Sequence, residues 1–133
     1  MNITFRVASL PVAQPRAKAT TVNGMARMYE AKKSHPIHTF KAAVQAGAYT
    51  AHQAAPLEGP LSARLTFVFA AKKKDRIRKT TKPDSDNLAK GVLDALNGLL
   101  YRDDSQVCEL VVRKWHAAKD EQPHVMIEIQ ELD

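Results

Sequence analysis

Leu61, Ala63, Leu65, Phe67 and Phe69 take every second position of one stretch, and Ser62, Arg64 and Thr66 fill places between them. A period of two puts each set on its own side of an extended chain, which predicts a strand with one buried face and one wet face. Such a strand needs neighbours in a sheet and a layer over its apolar side. The same alternation recurs at Ile3, Phe5 and Val7 and again at Val125, Ile127 and Ile129, predicting strands over about 3–8 and 124–131. A further closing strand is expected from Gln106 to His116. Two stretches read as helices. One starts at a Ser34 cap with Pro36 in its first turn and runs through Phe40, Val44 and Tyr49 to about Gln53. The other runs from about Ser85 to Asn97 and ends at Asn97-Gly98. The order predicts an α+β (mixed α/β) fold, with one mixed sheet and helices packed on it, as a single small domain over 1–133.

Between the first strand and the first helix, Pro11 and Pro15 interrupt the pattern and Asn23-Gly24 marks a tight hairpin turn. That turn sets Thr20 opposite Arg27 and Lys18 opposite Tyr29, and gathers Arg16, Lys18 and Arg27 on one face of a ribbon.

Composition excludes several classes. Apolar residues make up 44% and charged residues 26%, too apolar for wholesale disorder. No apolar run approaches the ~20 residues of a membrane span, and the first residues lack the pattern of a signal peptide. The single cysteine, Cys108, excludes an internal disulfide framework and a cysteine-based zinc site. A cytoplasmic protein is expected. The net charge is +6, and Lys72 to Lys82 alone holds seven basic residues against one acid. The surplus is therefore local. It suits contact with a nucleic acid or another anion, or else a solvated loop at about 71–83 that need not be ordered.

The acidic residues are just as concentrated. Wound at 100° per residue from Asp86, Asn97, Lys90, Asp94 and Asn87 fall between about 20° and 100°, while Leu88, Val92, Ala95, Leu96 and Leu99 fall between about 180° and 280°. The helix thus pairs an apolar back with a narrow face of Asp, Lys and Asn. Asp84 lies just before it, and Asp103-Asp104 lies where a return strand can bring a carboxylate back. Converging carboxylates repel unless neutralised, and a hard divalent cation does this while leaving places for water and phosphate oxygens. Helix capping, i,i+4 ion pairs and an ordinary turn would explain the same residues without chemistry. The EF-hand pattern fails, since the required glycine is Ala89 and the twelfth position is Ala95. There is no phosphate-binding Walker loop and no His-Glu-x-x-His.

The run Asp84-Ser85-Asp86-Asn87-Leu88-Ala89-Lys90, with Asp94-Ala95-Leu96 and Asp103-Asp104-Ser105-Gln106-Val107, resembles the RusA family of crossover junction endodeoxyribonucleases over residues 82–107. The resemblance implies a RusA-like fold and a homodimer that cuts four-way Holliday junction DNA by paired symmetric nicks in recombination and repair. It implies Mg²⁺ as cofactor, with Mn²⁺ as a substitute. It places metal-binding and catalytic roles on Asp84, Asp86 and Asp104 and a catalytic lysine at Lys90. Outside this block, Pro15-Arg16 and the basic ribbon are similar to the family's DNA-contacting region. The expected DNA contacts are Arg16, Lys18, Arg27, Lys72, Lys73, Lys74, Arg76, Arg78 and Lys79. Two other readings stay open, a branched-DNA-binding module without catalysis and a metal phosphodiesterase acting on other branched DNA.

Other residues invite chemistry without supporting it. His35 and His38 suit a helix start better than a metal, and His52, His116 and His124 are isolated. Cys108 reads as a packed small residue, and Trp115 as packing before base stacking.

Overall fold

The computed structural model describes residues 1–16, 18–22, 25–29 and 32–133, with side chains for 1–16 and 32–133. Five strands form one sheet. They are β1 (Asn2–Val7), β4 (Leu61–Phe69), β5 (Ile77–Arg78), β6 (Val107–His116) and β7 (His124–Glu131), in the order β1-β7-β4-β6-β5. β2 (Lys18–Val22) and β3 (Met25–Tyr29) form a separate antiparallel ribbon. β4 and β6 run parallel and the other pairs antiparallel, so the sheet is mixed, as expected. The two helices are α1 (Pro36–Ala51) and α2 (Ser85–Leu96).

Register explains which face is buried. Ile3 pairs with Ile129 and Ile129 with Ala63, and the next row joins Phe5, Ile127 and Leu65. These rows carry the apolar set predicted from the alternation. They form one core with Ile37, Phe40 and Val44 of α1 and Leu88, Val92 and Leu96 of α2. Burying each such side chain contributes about 1.5–3 kcal/mol, so packing outweighs caps in holding both helices.

Several local expectations are corrected. The α1 cap is His35, not Ser34, because the His35 Nδ1 accepts from the Ile37 amide at 3.0 Å. The helix ends at Ala51, two residues before the expected Gln53. The basic segment contains β5, which no alternation marked, and Asp104–Gln106 form a 3-10 turn before β6. Cys108 is exposed and not packed, since a register slip between Leu61 and Ser62 leaves it as the extra residue of a bulge. The hairpin register is the expected one, with Lys18 opposite Tyr29 and Thr20 opposite Arg27. The turn expected at Asn23-Gly24 lies outside the described residues.

Candidate active site

The start of α2 is the organising feature. Asp84 is its N-cap in extended conformation, yet its carboxylate makes no capping hydrogen bond and is left for other partners. The backbone before it is held from below. Lys114 of β6 donates to the carbonyls of Thr81 and Pro83, both at 2.9 Å. Lys114 occupies the phase of β6 that faces the helices, opposite Phe67 of β4, where the alternation calls for an apolar side chain. That misplaced lysine was the available signal for its role. Lys79 adds a second cation beside it, donating to the Thr81 hydroxyl at 2.9 Å. Burial and the neighbouring Lys72 and Lys114 charges lower the Lys79 pKa.

Asp86 and Asn87 are met by the N-terminal segment. The Arg16 Nη2 donates to Asp86 Oδ2 at 3.0 Å, and its Nε donates to Asn87 Oδ1 at 3.3 Å. The Gln14 amide also donates to the Asn87 carbonyl at 3.0 Å. A Cβ at Gly91 would stand at ordinary contact distance, 3.5 Å, from the Gln14 nitrogen, and its one tight contact would be the end of the Ile37 side chain at 3.2 Å.

Further along the helix, Lys90 pairs with Asp94 at 3.4 Å. Asp94 and Asn97 in turn reach Asp104, which is half-buried. Burial, then the charges of Asp103 and Asp94, raise the Asp104 pKa, and the nearby Asn97 side chain opposes them. The neighbouring Asp103 is committed elsewhere. Its carboxylate accepts from the Ser105 amide at 3.0 Å and closes a capping box with Gln106, which holds its pKa below the usual range. Gln106 ties this turn to the carbonyls of Leu57 and Gly59, each at 3.0 Å. Gly98, with φ of 75°, and buried Tyr101, whose hydroxyl donates to the Leu93 carbonyl at 2.7 Å, return the chain from α2 to that turn.

The four expected residues therefore lie at or beside one helix face, but they are not equally placed. Among the described residues no three His, Cys, Asp or Glu side chains stand close enough to hold a metal ion. Asp86 is turned to Arg16, and Asp104 to Asp94 and Asn97. Asp94 was missing from the expected site residues, although its position on the helix wheel already put it on the same face. The donor chemistry still fits a hard divalent cation, since the Asp84 carboxylate is not used as a cap and the charges of Asp94 and Asp104 repel in a way that a cation would relieve.

The expected DNA contacts divide. Arg76 is ion-paired with Glu121, and Arg78 stacks on Trp115 at 3.8 Å, so both fasten β5 to its neighbours. Trp115 accordingly packs against the basic segment. Lys72, Lys73 and Lys74 instead line an open bay with Lys119. The side chains of Lys18 and Arg27 lie outside the described residues.

An α+β domain that gathers carboxylates and a lysine on one helix face, and carries a cluster of lysines elsewhere on its surface, has side chains suited to a phosphodiester substrate. The model of the family Endodeoxyribonuclease RusA matches residues 9–130, and the chain belongs to that family and is a nuclease. It is 37% identical to the "Uncharacterized protein YqaN" of Bacillus subtilis (strain 168), over 98% of this chain and 96% of the relative. It is 41% identical to "Crossover junction endodeoxyribonuclease rusA" of Lactococcus phage r1t, over 55% of this chain and 56% of the phage protein. Family membership sets aside the reading as a binding module without catalysis. No helix of the described residues is long and apolar enough to cross a membrane.

Proposed function

We propose that this nuclease resolves four-way DNA junctions by paired nicks, working as a homodimer with Mg²⁺, or Mn²⁺ in its place. The observation that supports it most is the Asp84 carboxylate, which makes no capping bond, at the start of a helix whose same face carries Asp86, Lys90 and Asp94. Asp84, Asp86 and Asp104 would hold the cation. The chemistry it supplies when bound is activation of water and neutralisation of charge on the phosphoryl group. The protein's own residues do the rest. Lys90 stabilises charge on the scissile phosphate as an ammonium at the helix face. Asn97 and Asp94 orient Asp104, and Lys114 keeps Asp84 in place through the two carbonyls it binds. Arg16 leaves Asp86 for a DNA phosphate when substrate arrives, freeing the carboxylate. Such an enzyme acts on DNA in the cytoplasm.

The test compares nicking of a synthetic four-way junction, a flap and a linear duplex, with and without Mg²⁺. Symmetric nicks in the junction alone are expected. Asp84→Asn, Asp86→Asn and Asp104→Asn should each abolish cleavage and retain junction binding, while Asp103→Asn should be milder. Preferential cutting of the flap would replace the junction by another branched substrate.

A further inference from the structure

β6 has an outer edge that the rest of the described sheet leaves open. β5 covers only its far end, pairing with Trp115 and His116, and the Lys79 amide donates to the Lys114 carbonyl at 3.1 Å. Since that carbonyl points outward, alternation turns the backbone groups of Val112 and Leu110 outward as well, with no strand of this sheet beyond them. The stretch is Glu109-Leu110-Val111-Val112-Arg113. It has no proline, lysine or bulge of the kind that keeps an edge from pairing.

Leu110 is 46% exposed and Val111 is 39% exposed, and adjacent residues of a strand point to opposite faces. A partner lying on either face would cover one of them. A strand continuing the sheet would cover both. Its identity follows from charge. Glu109 and Arg113 belong to no ion pair among the described residues. They lie symmetrically about Val111. An antiparallel copy centred there sets Glu109 against the partner's Arg113 and Arg113 against the partner's Glu109. It also sets Val111 against the partner's Val111. In that register Leu110 and Val112 fall in pairs that exchange backbone hydrogen bonds, as their outward orientation requires. A register shifted by two residues loses both ion pairs.

We propose that Glu109–Arg113 of β6 is the contact between two copies of this chain, paired antiparallel about a two-fold axis at Val111. The axis stands perpendicular to the sheet, so both helix layers, and with them both acidic faces of α2, lie on one side of the assembly. The proposal takes its meaning from the dimeric resolvase above, but its test needs neither DNA nor cation and so fails or stands separately.

Sedimentation in metal-free buffer gives the mass. The wild type should be a dimer at micromolar concentration. Glu109→Arg and Arg113→Glu should each raise the dissociation constant at least tenfold by placing like charges opposite twice, and the double exchange should restore it. In a Cys108→Ser background, Val111→Cys should form a disulfide-linked dimer on oxidation, since such a non-hydrogen-bonded pair stands at about 4.5 Å between Cα atoms. Arg113→Cys should not, because its counterpart lies about four residues away along the strand. A monomeric wild type would overturn the proposal. So would a dimer indifferent to both charge reversals, or one that cross-links at 113 in preference to 111.

Discussion

Asp104 and Arg16 show how single side chains hold the acidic site in its free state. The raised Asp104 pKa means that the folded chain binds that proton more readily than the unfolded chain does. The penalty is fully present above the folded pKa and disappears as pH falls below the ordinary carboxylate range. Asp104→Asn should therefore melt higher than the wild type at pH 7 by about 1–3 °C without metal, and lose that advantage near pH 3. Mg²⁺ should close the gap from the other side by stabilising the wild type. A difference independent of pH would show that charge is not its cause. Arg16 acts on Asp86 through an exposed ion pair, and such pairs contribute little to folding. Arg16→Gln should leave the melting temperature within about 1 °C. It should lower the Mg²⁺ concentration needed for half-maximal thermal stabilisation and weaken junction binding. Unchanged Mg²⁺ dependence would mean that Arg16 does not compete for Asp86.

At the scale of elements, strand β6 supports the helix start through Lys114. Lys114→Met keeps the length of the side chain and removes both bonds to Thr81 and Pro83. Stability should fall by about 1–3 kcal/mol in denaturant titration, the cost of leaving such groups unpaired. Cleavage should slow by about tenfold with junction affinity unchanged, since Asp84 loses its placement and the surface lysine cluster keeps its charge. Normal turnover would make Lys114 a folding residue alone. The elements themselves differ in how far the sequence revealed them. β4 and β7 show a period of two, and the pairing of Lys18 with Tyr29 and Thr20 with Arg27 is the one expected from the sequence, so both were legible. β5 spans two residues, too short for any period, and is anchored by Arg78 on Trp115 far along the chain. The acidic face of α2 followed from helix geometry. The contacts of Arg16 with Asp86 and of Lys114 with Pro83 join separate segments, and no local pattern encodes them.

Across the whole molecule, the positive surplus sits in one segment, and the fold divides that segment by task. Arg76 and Arg78 are engaged within the protein, whereas Lys72, Lys73 and Lys74 line open surface. Replacing the three lysines with glutamine should reduce the slope of log affinity against log salt by about 5 for a dimer contacting six phosphates through them. Melting temperature should barely change. Arg76→Gln with Arg78→Gln should do the reverse, lowering the melting temperature with a smaller effect on the slope. Equal effects from both sets would reject the division.

The place of β7 between β1 and β4 also has a temporal consequence. β1 is made first, yet its sheet partner is β7, which follows more than a hundred residues later. During synthesis the opening strand must wait, unpaired, while the helices and the middle of the sheet emerge. High sequence separation of this kind slows folding. The nuclease therefore closes its sheet only after residues 124–131 have left the ribosome, and no shorter nascent chain completes the scaffold beneath the acidic helix.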